Sequence, residues 1–98
     1  MELSYDINGD AAVIGIAGRL DTITAPELED YIGARISGVK TLTLDCAGLE
    51  YISSAGLRVL LRTQKKLSIC GEMKLKNVSP IIMEIFEITG FNEILTIE

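Results

Sequence analysis

The chain has 98 residues, 48% of them hydrophobic, a net charge of −5 and no histidine. A chain of that size buries one core, and its apolar content belongs to a folded protein rather than a disordered one. Its longest basic run is Lys65-Lys66, so it lacks the clustered cations that nucleic acid or an anionic membrane surface demands.

Glu2 to Ile7 alternates apolar and polar residues and reads as a strand. Asn8-Gly9 follows, a hairpin dipeptide whose two turn positions take positive φ. Ala11 to Ala17 is the returning strand, and its nearly continuous apolar run predicts burial on both faces. Gly18-Arg19-Leu20-Asp21 ends it. Thr24 and Glu27 make a T-x-x-E capping box. The helix behind it carries the apolar stripe Ala25, Leu28, Ile32 and Ile36, with Gly38 as its stop.

Thr41 to Leu61 is the most informative stretch. Leu42 and Leu44 alternate with Thr41 and Thr43 as a strand, which breaks at Asp45, Cys46, Ala47 and Gly48. Ser53-Ser54 then open a helix whose stripe is Leu57, Leu60, Leu61 and Leu67. A helix N-terminus has unpaired N–H groups and a partial positive charge, so a serine there caps it or meets a phosphate. Gly56, in the first turn, costs up to ~1 kcal/mol against alanine. It points to another molecule's surface coming close to the backbone.

Gly71 closes this second helix, and Glu72 to Val78 is the next strand. Ser79-Pro80 is an N-cap with proline at the first helical position. Ile82, Ile85 and Phe86 form the buried side of the third helix, Gly90 stops it with Phe91 as the accompanying apolar contact, and Ile94 to Glu98 is a last strand. The order β-β-α-β-α-β-α-β predicts an α/β protein: a single mixed sheet with an N-terminal antiparallel hairpin followed by right-handed parallel crossovers, one domain over residues 1–98.

Little of this is catalytic. A serine nucleophile needs a base, no histidine exists, and no lysine is placed beside Ser54. The segment Gly33 to Thr41 approaches a phosphate-binding loop but has Val39 inserted, and it leaves a helix where a P-loop enters one. Cys46 and Cys70, with no other ligands, read as buried free thiols in a reducing compartment rather than as a zinc site or a disulfide. The start MELSYDING has no basic or apolar leader, and no apolar run has membrane-span length; a cytoplasmic protein is expected, without metal or other cofactor. Asp21 and Asp45 are placed near strand ends on the edge that receives Ser53 and Ser54. They are either functional there (a remnant of a catalytic pair, a metal site or a docking epitope) or merely stop strands and bond loop amides.

The residues Gly18-Arg19-Leu20-Asp21, Leu44-Asp45, Tyr51-Ile52-Ser53-Ser54-Ala55-Gly56-Leu57, Ser79-Pro80 and Thr89-Gly90-Phe91 together resemble a stand-alone STAS domain of the bacterial anti-sigma factor antagonist kind. The resemblance implies a binding module, not an enzyme. It implies an anti-sigma factor partner that is itself a GHKL-type serine kinase, release of the sigma factor on binding, phosphorylation at Ser54 that ends the complex, and a PP2C-like phosphatase that resets it. The implied contact residues are Asp21, Ser53, Ser54, Ala55, Gly56 and Leu57. Ser53 stands where the family often has aspartate, and Ala55 where it often has serine or threonine. The same fold also serves non-switching scaffolds, for example a regulatory subunit of a lipid-transport ABC complex; phosphorylation of Ser54 separates the two readings.

Overall fold

A computed structural model describes residues 1–69 and 71–98. The expectation of a buried thiol at Cys70 lies outside the described residues. Five strands form one sheet in the order β1-β2-β3-β4-β5: β1 (Glu2–Asn8), β2 (Ala11–Leu20), β3 (Thr41–Ile52), β4 (Glu72–Lys76) and β5 (Thr96–Ile97). β1 and β2 are antiparallel, and each later pair is parallel. The crossovers carry α1 (Ala25–Gly33), α2 (Ser54–Leu67) and α3 (Pro80–Thr89), with a 3-10 turn at Phe91–Glu93. The mixed α/β sheet expected from the sequence is therefore the architecture observed.

Ile14, Leu44 and Leu75 are partners across β2, β3 and β4, all fully buried. Partners point to one side of a sheet, so these residues mark the covered face. Leu28 and Ile32 of α1, Val59 and Leu60 of α2, and Ile82 and Phe86 of α3 join the same core. The next residues along, Val13, Thr43 and Lys74, are only half-buried. This corrects the expectation for β2: Ala12, Ile14, Ile16 and Leu20 are buried, but Ala11 is exposed and Val13, Gly15 and Ala17 are half-open. Small side chains, not a second layer, explain the apolar run.

The hairpin forms one residue later than Asn8-Gly9 predicts. Asn8 pairs with Ala11, leaving Gly9 and Asp10 as the loop. Gly9 has φ +65° and Asn8 does not take positive φ, the pattern of a turn with glycine at its first central position.

The helix ends also shift. α1 stops at Gly33, and Gly38 takes its φ of +80° in the following turn. α2 stops at Leu67, short of Gly71. β4 ends at Lys76 because Asn77 adopts φ +58° and turns the chain, a conformation asparagine tolerates better than most residues. At α3 the expectation holds: Ser79 Oγ accepts the Ile82 N–H at 3.4 Å, and Gly90 is left-handed at φ +79°.

Candidate functional site: the serine pair at the start of α2

β3 does not break at Asp45 to Gly48; it runs through to Ile52. Gly15 faces Asp45 but Ala17 faces Gly48, and Gly18 faces Leu49 but Arg19 faces Tyr51. Each shift inserts one extra residue into β3, a β-bulge. The buried positions are accordingly Leu42, Leu44, Cys46, Leu49 and Ile52: steps of two become steps of three. The bulges keep the apolar residues inward while the strand projects past the end of β4, carrying Ser53 and Ser54 with it.

Gly48 is needed at the first bulge, where a Cβ would lie 2.7 Å from the Ala17 Cβ. Asp45 supports the bulge. Its Oδ1 accepts the Ala47 N–H at 3.1 Å and the Asn77 side-chain N–H at 3.0 Å. The Asn77 bond, then the Ala47 amide, holds the Asp45 carboxyl below its ordinary pKa. Since Asp45 pairs with Gly15 while β2 continues to Leu20, five residues, about 17 Å of strand, separate its level from the end of β2. Asp45 is therefore not part of the Asp21 edge, and the paired-carboxylate reading fails. Among the described residues no group of three or more Asp, Glu, His or Cys side chains could hold a metal ion.

Asp21 does share the strand end from which the serines emerge. Leu20 pairs with Ile52, and the Ser53 N–H donates to the Leu20 carbonyl at 2.9 Å, so Asp21 and Ser53 leave the sheet side by side. Asp21 Oδ1 accepts the N–H groups of Ile23 at 3.0 Å and Thr24 at 3.1 Å. The Thr24 amide is the main cause of its lowered pKa, against a smaller desolvation effect. The T-x-x-E box is absent. Thr24 has helical φ and ψ and no capping bond; its hydroxyl donates to the Arg19 carbonyl and accepts the Asp21 N–H, both at 2.8 Å. Asp21 caps this turn in its place.

At α2 the two serines divide the work. Ser53 is the N-cap, with extended backbone and its Oγ accepting the Gly56 N–H at 3.5 Å. Ser54 is the first helical residue and is exposed, and its hydroxyl has no hydrogen-bond partner among the described residues. Ala55 is half-buried, whereas Gly56 and Leu57 are buried. Gly56 has an internal reason, contrary to expectation: a Cβ there would lie 2.7 Å from Leu20 Cγ and 2.9 Å from Ile52 Cγ1. Gly56 and Leu57 seat the helix and do not offer a surface.

The surroundings add residues that sequence reasoning missed. Ile23 is 86% exposed beside Asp21. Arg19 stacks on Tyr51, 4.2 Å from the ring centroid, and lies 3.9 Å from the Asp21 carboxylate. An isoleucine inside the polar run Asp21-Thr22-Ile23-Thr24 was the available signal. The Arg19–Tyr51 pair depends on a register that two bulges set. Of the four arginines, Arg19, Arg35 and Arg62 are stacked or ion-paired; Arg58, exposed one turn beyond Ser54, has no ion pair among the described residues.

The ends of β2 and β3 thus carry an exposed serine hydroxyl, an exposed isoleucine, a tyrosine and a charged pair. The comparisons give the class of protein that carries them. A family model described as the STAS domain matches residues 2–98. BtrV of Bordetella bronchiseptica, described as an anti-sigma factor antagonist, is 35% identical over 99% of this chain and 85% of its own length. The anti-sigma-B factor antagonist of Bacillus subtilis is 29% identical over 99% of this chain and 92% of its own. The Bacillus cell fate determinant SpoIIAA in its phosphorylated form superposes with a TM-score of 0.75 at 21% identity, covering 99% of this chain and 91% of that one. This is a regulatory binding protein of the anti-sigma factor antagonist kind, not an enzyme. The chain belongs to the STAS domain family. Among the described residues no helix is long and apolar enough to cross a membrane.

Proposed function

We propose that residues 1–98 act as one cytoplasmic module that binds an anti-sigma factor of the GHKL serine-kinase type, frees the sigma factor, and is switched off by phosphorylation at Ser54. A PP2C-like phosphatase resets it. One observation carries this reading. Ser53 caps the helix, and the exposed Ser54 hydroxyl beside it has no hydrogen-bond partner among the described residues. The contact surface comprises Ser54, Ser53, Asp21 and Ala55, extended by Ile23 and Tyr51. Gly56 and Leu57 hold that surface from beneath.

Phosphate on Ser54 adds about −1.5 to −2 charges near neutral pH. The N-terminus of α2 accommodates an anion, at a gain of about 0.3–1 kcal/mol, and Arg58, exposed one turn on, has no ion pair among the described residues. The fold therefore tolerates the modification. The same charge pressed into an interface, with Asp21 alongside, loses its hydration and meets repulsion. A loss of about 3 kcal/mol weakens binding more than a hundredfold. SpoIIAA, whose fold this chain shares, has been solved in a phosphorylated form, which supports the reading.

The test is phosphorylation in vitro by the cognate kinase with ATP, followed by peptide mass spectrometry. A single phosphate on Ser54, absent in Ser54→Ala, is expected. Phosphate on Ser53 instead, or none on either serine, refutes the switch.

A further inference from the structure

The outer side of α3 carries a second, unrelated surface. Seven of the ten residues Pro80–Thr89 are apolar; the core buries Ile82 and Phe86, and Met83 and Ile85 are half-buried against it. Ile81 is 62% exposed and Ile88 78% exposed. They lie seven residues apart with half-buried Ile85 between them, the i, i+4, i+7 spacing of one helical stripe. A helix apolar round most of its circumference is ordinarily buried; α3 leaves Ile81 and Ile88 uncovered on a ridge whose middle residue, Ile85, leans on the core.

The charge on α3 itself and along the chain after it is of one sign. Glu84 and Glu87 are exposed on the same helix, and Glu93 and Glu98 follow. No lysine or arginine occurs after Lys76. The residues up to Lys76 hold ten acidic against nine basic side chains, so nearly all of the net charge of −5 belongs to this C-terminal segment.

We propose that the Ile81–Ile85–Ile88 ridge is a docking surface for a basic amphipathic helix of a partner protein, apolar on the seam and rich in lysine or arginine at its flanks. Apolar anchors at helical spacing are what such a helix reads, and complementary charge at the rim selects it and speeds its arrival. A second copy of this chain is the wrong occupant, because a two-fold contact sets the same patch on both sides and brings Glu84 and Glu87 against their own kind. An anionic bilayer is repelled for the same reason. The surface is independent of Ser54.

The probe is a labelled peptide of leucine and lysine, about 18 residues or five turns, with leucines at i, i+3, i+4 and i+7; glutamate replaces lysine in its control. Titration with the full chain is read by fluorescence anisotropy. The lysine peptide is expected to bind, the glutamate peptide not. Affinity is expected to fall at least tenfold in Ile81→Ser/Ile88→Ser, and also in Glu84→Gln/Glu87→Gln. Both pairs are exposed, so the variants are expected to melt as the parent does, and phosphorylation of Ser54 is expected to be unchanged in them. Equal binding of both peptides, or affinity unaltered by the isoleucine changes, overturns the proposal. So does a dimer in sedimentation that dissolves in Ile81→Ser/Ile88→Ser, which assigns the ridge to a second copy. Binding to phosphatidylglycerol vesicles through the ridge overturns it as well.

Discussion

Replacing Gly56 with alanine tests how the serine pair is held in place. On propensity alone, glycine to alanine inside a helix stabilises by up to ~1 kcal/mol. Here the added Cβ meets Leu20 Cγ at 2.7 Å, Ile52 Cγ1 at 2.9 Å and Leu20 Cδ2 at 3.0 Å. Both neighbours are core residues with almost no exposed surface, anchored at the paired ends of β2 and β3, so neither has room to retreat. Overpacking of this kind costs about 1–3 kcal/mol. The steric effect wins, and Gly56→Ala is expected to destabilise by about 1–2 kcal/mol. For a domain of this size each kcal/mol shifts the melting temperature by about 4–8 °C. Gly33 is the internal control. It ends α1 with nothing within 4 Å of a built Cβ and no positive φ, so Gly33→Ala is expected to be neutral or to gain up to ~1 kcal/mol. Urea unfolding of the two variants measures both. Gly56→Ala as stable as the parent would refute the claim that close packing of α2 on β2 and β3 sets the position of Ser54.

The serines are expected to separate in the same assay: Ser53→Ala loses a long capping bond and about 0.5–1 kcal/mol, while Ser54→Ala stays within about 0.5 kcal/mol of the parent. Equal costs would show that the capping role is shared. Acid should weaken the fold. Asp45, Asp21 and Glu29 all have pKa values lowered in the folded state, by Asn77, by the Thr24 amide and by the Arg62 side chain respectively. Groups depressed on folding contribute stability that is complete above their unfolded pKa and is lost as pH falls through the folded value. The urea midpoint is therefore expected to hold level down to about pH 5 and fall below about pH 4, with a shallower fall in Asp45→Asn. A midpoint that rises on acidification contradicts this. Burial pushes the Cys46 thiol up to about 12, so in Cys70→Ser the remaining thiol should react with a disulfide reagent only after urea unfolds the chain.

Most of the fold was legible because the apolar periods are regular where the backbone is regular. Ser79-Pro80 and Gly90 bound α3 as their chemistry dictates, and Leu28, Ile32, Leu57 and Leu60 face the core as their spacing predicts. The failures share one cause: side chains and turns answer to neighbours distant in the chain. β3 reads as broken because its bulges change the period from two to three, and the bulges exist to follow β2. Thr24 reads as a cap, but its hydroxyl is drawn to the Arg19 carbonyl behind it. Gly56 reads as clearance for a visitor, whereas its constraint is Leu20, thirty-six positions earlier in the chain. At the site, the serine pair was visible as residues at a helix start. Which serine caps and which is free was not, since both satisfy the same local preference and only the backbone conformation at Ser53 decides.

The most direct measurement is calorimetric titration of the partner kinase with the unmodified chain and with the chain phosphorylated at Ser54. The account predicts tight binding of the first, retained in Ser54→Ala, and at least a hundredfold loss for the second, with the melting temperature of the phosphorylated chain no lower than that of the parent. Equal affinity of the two forms would contradict it.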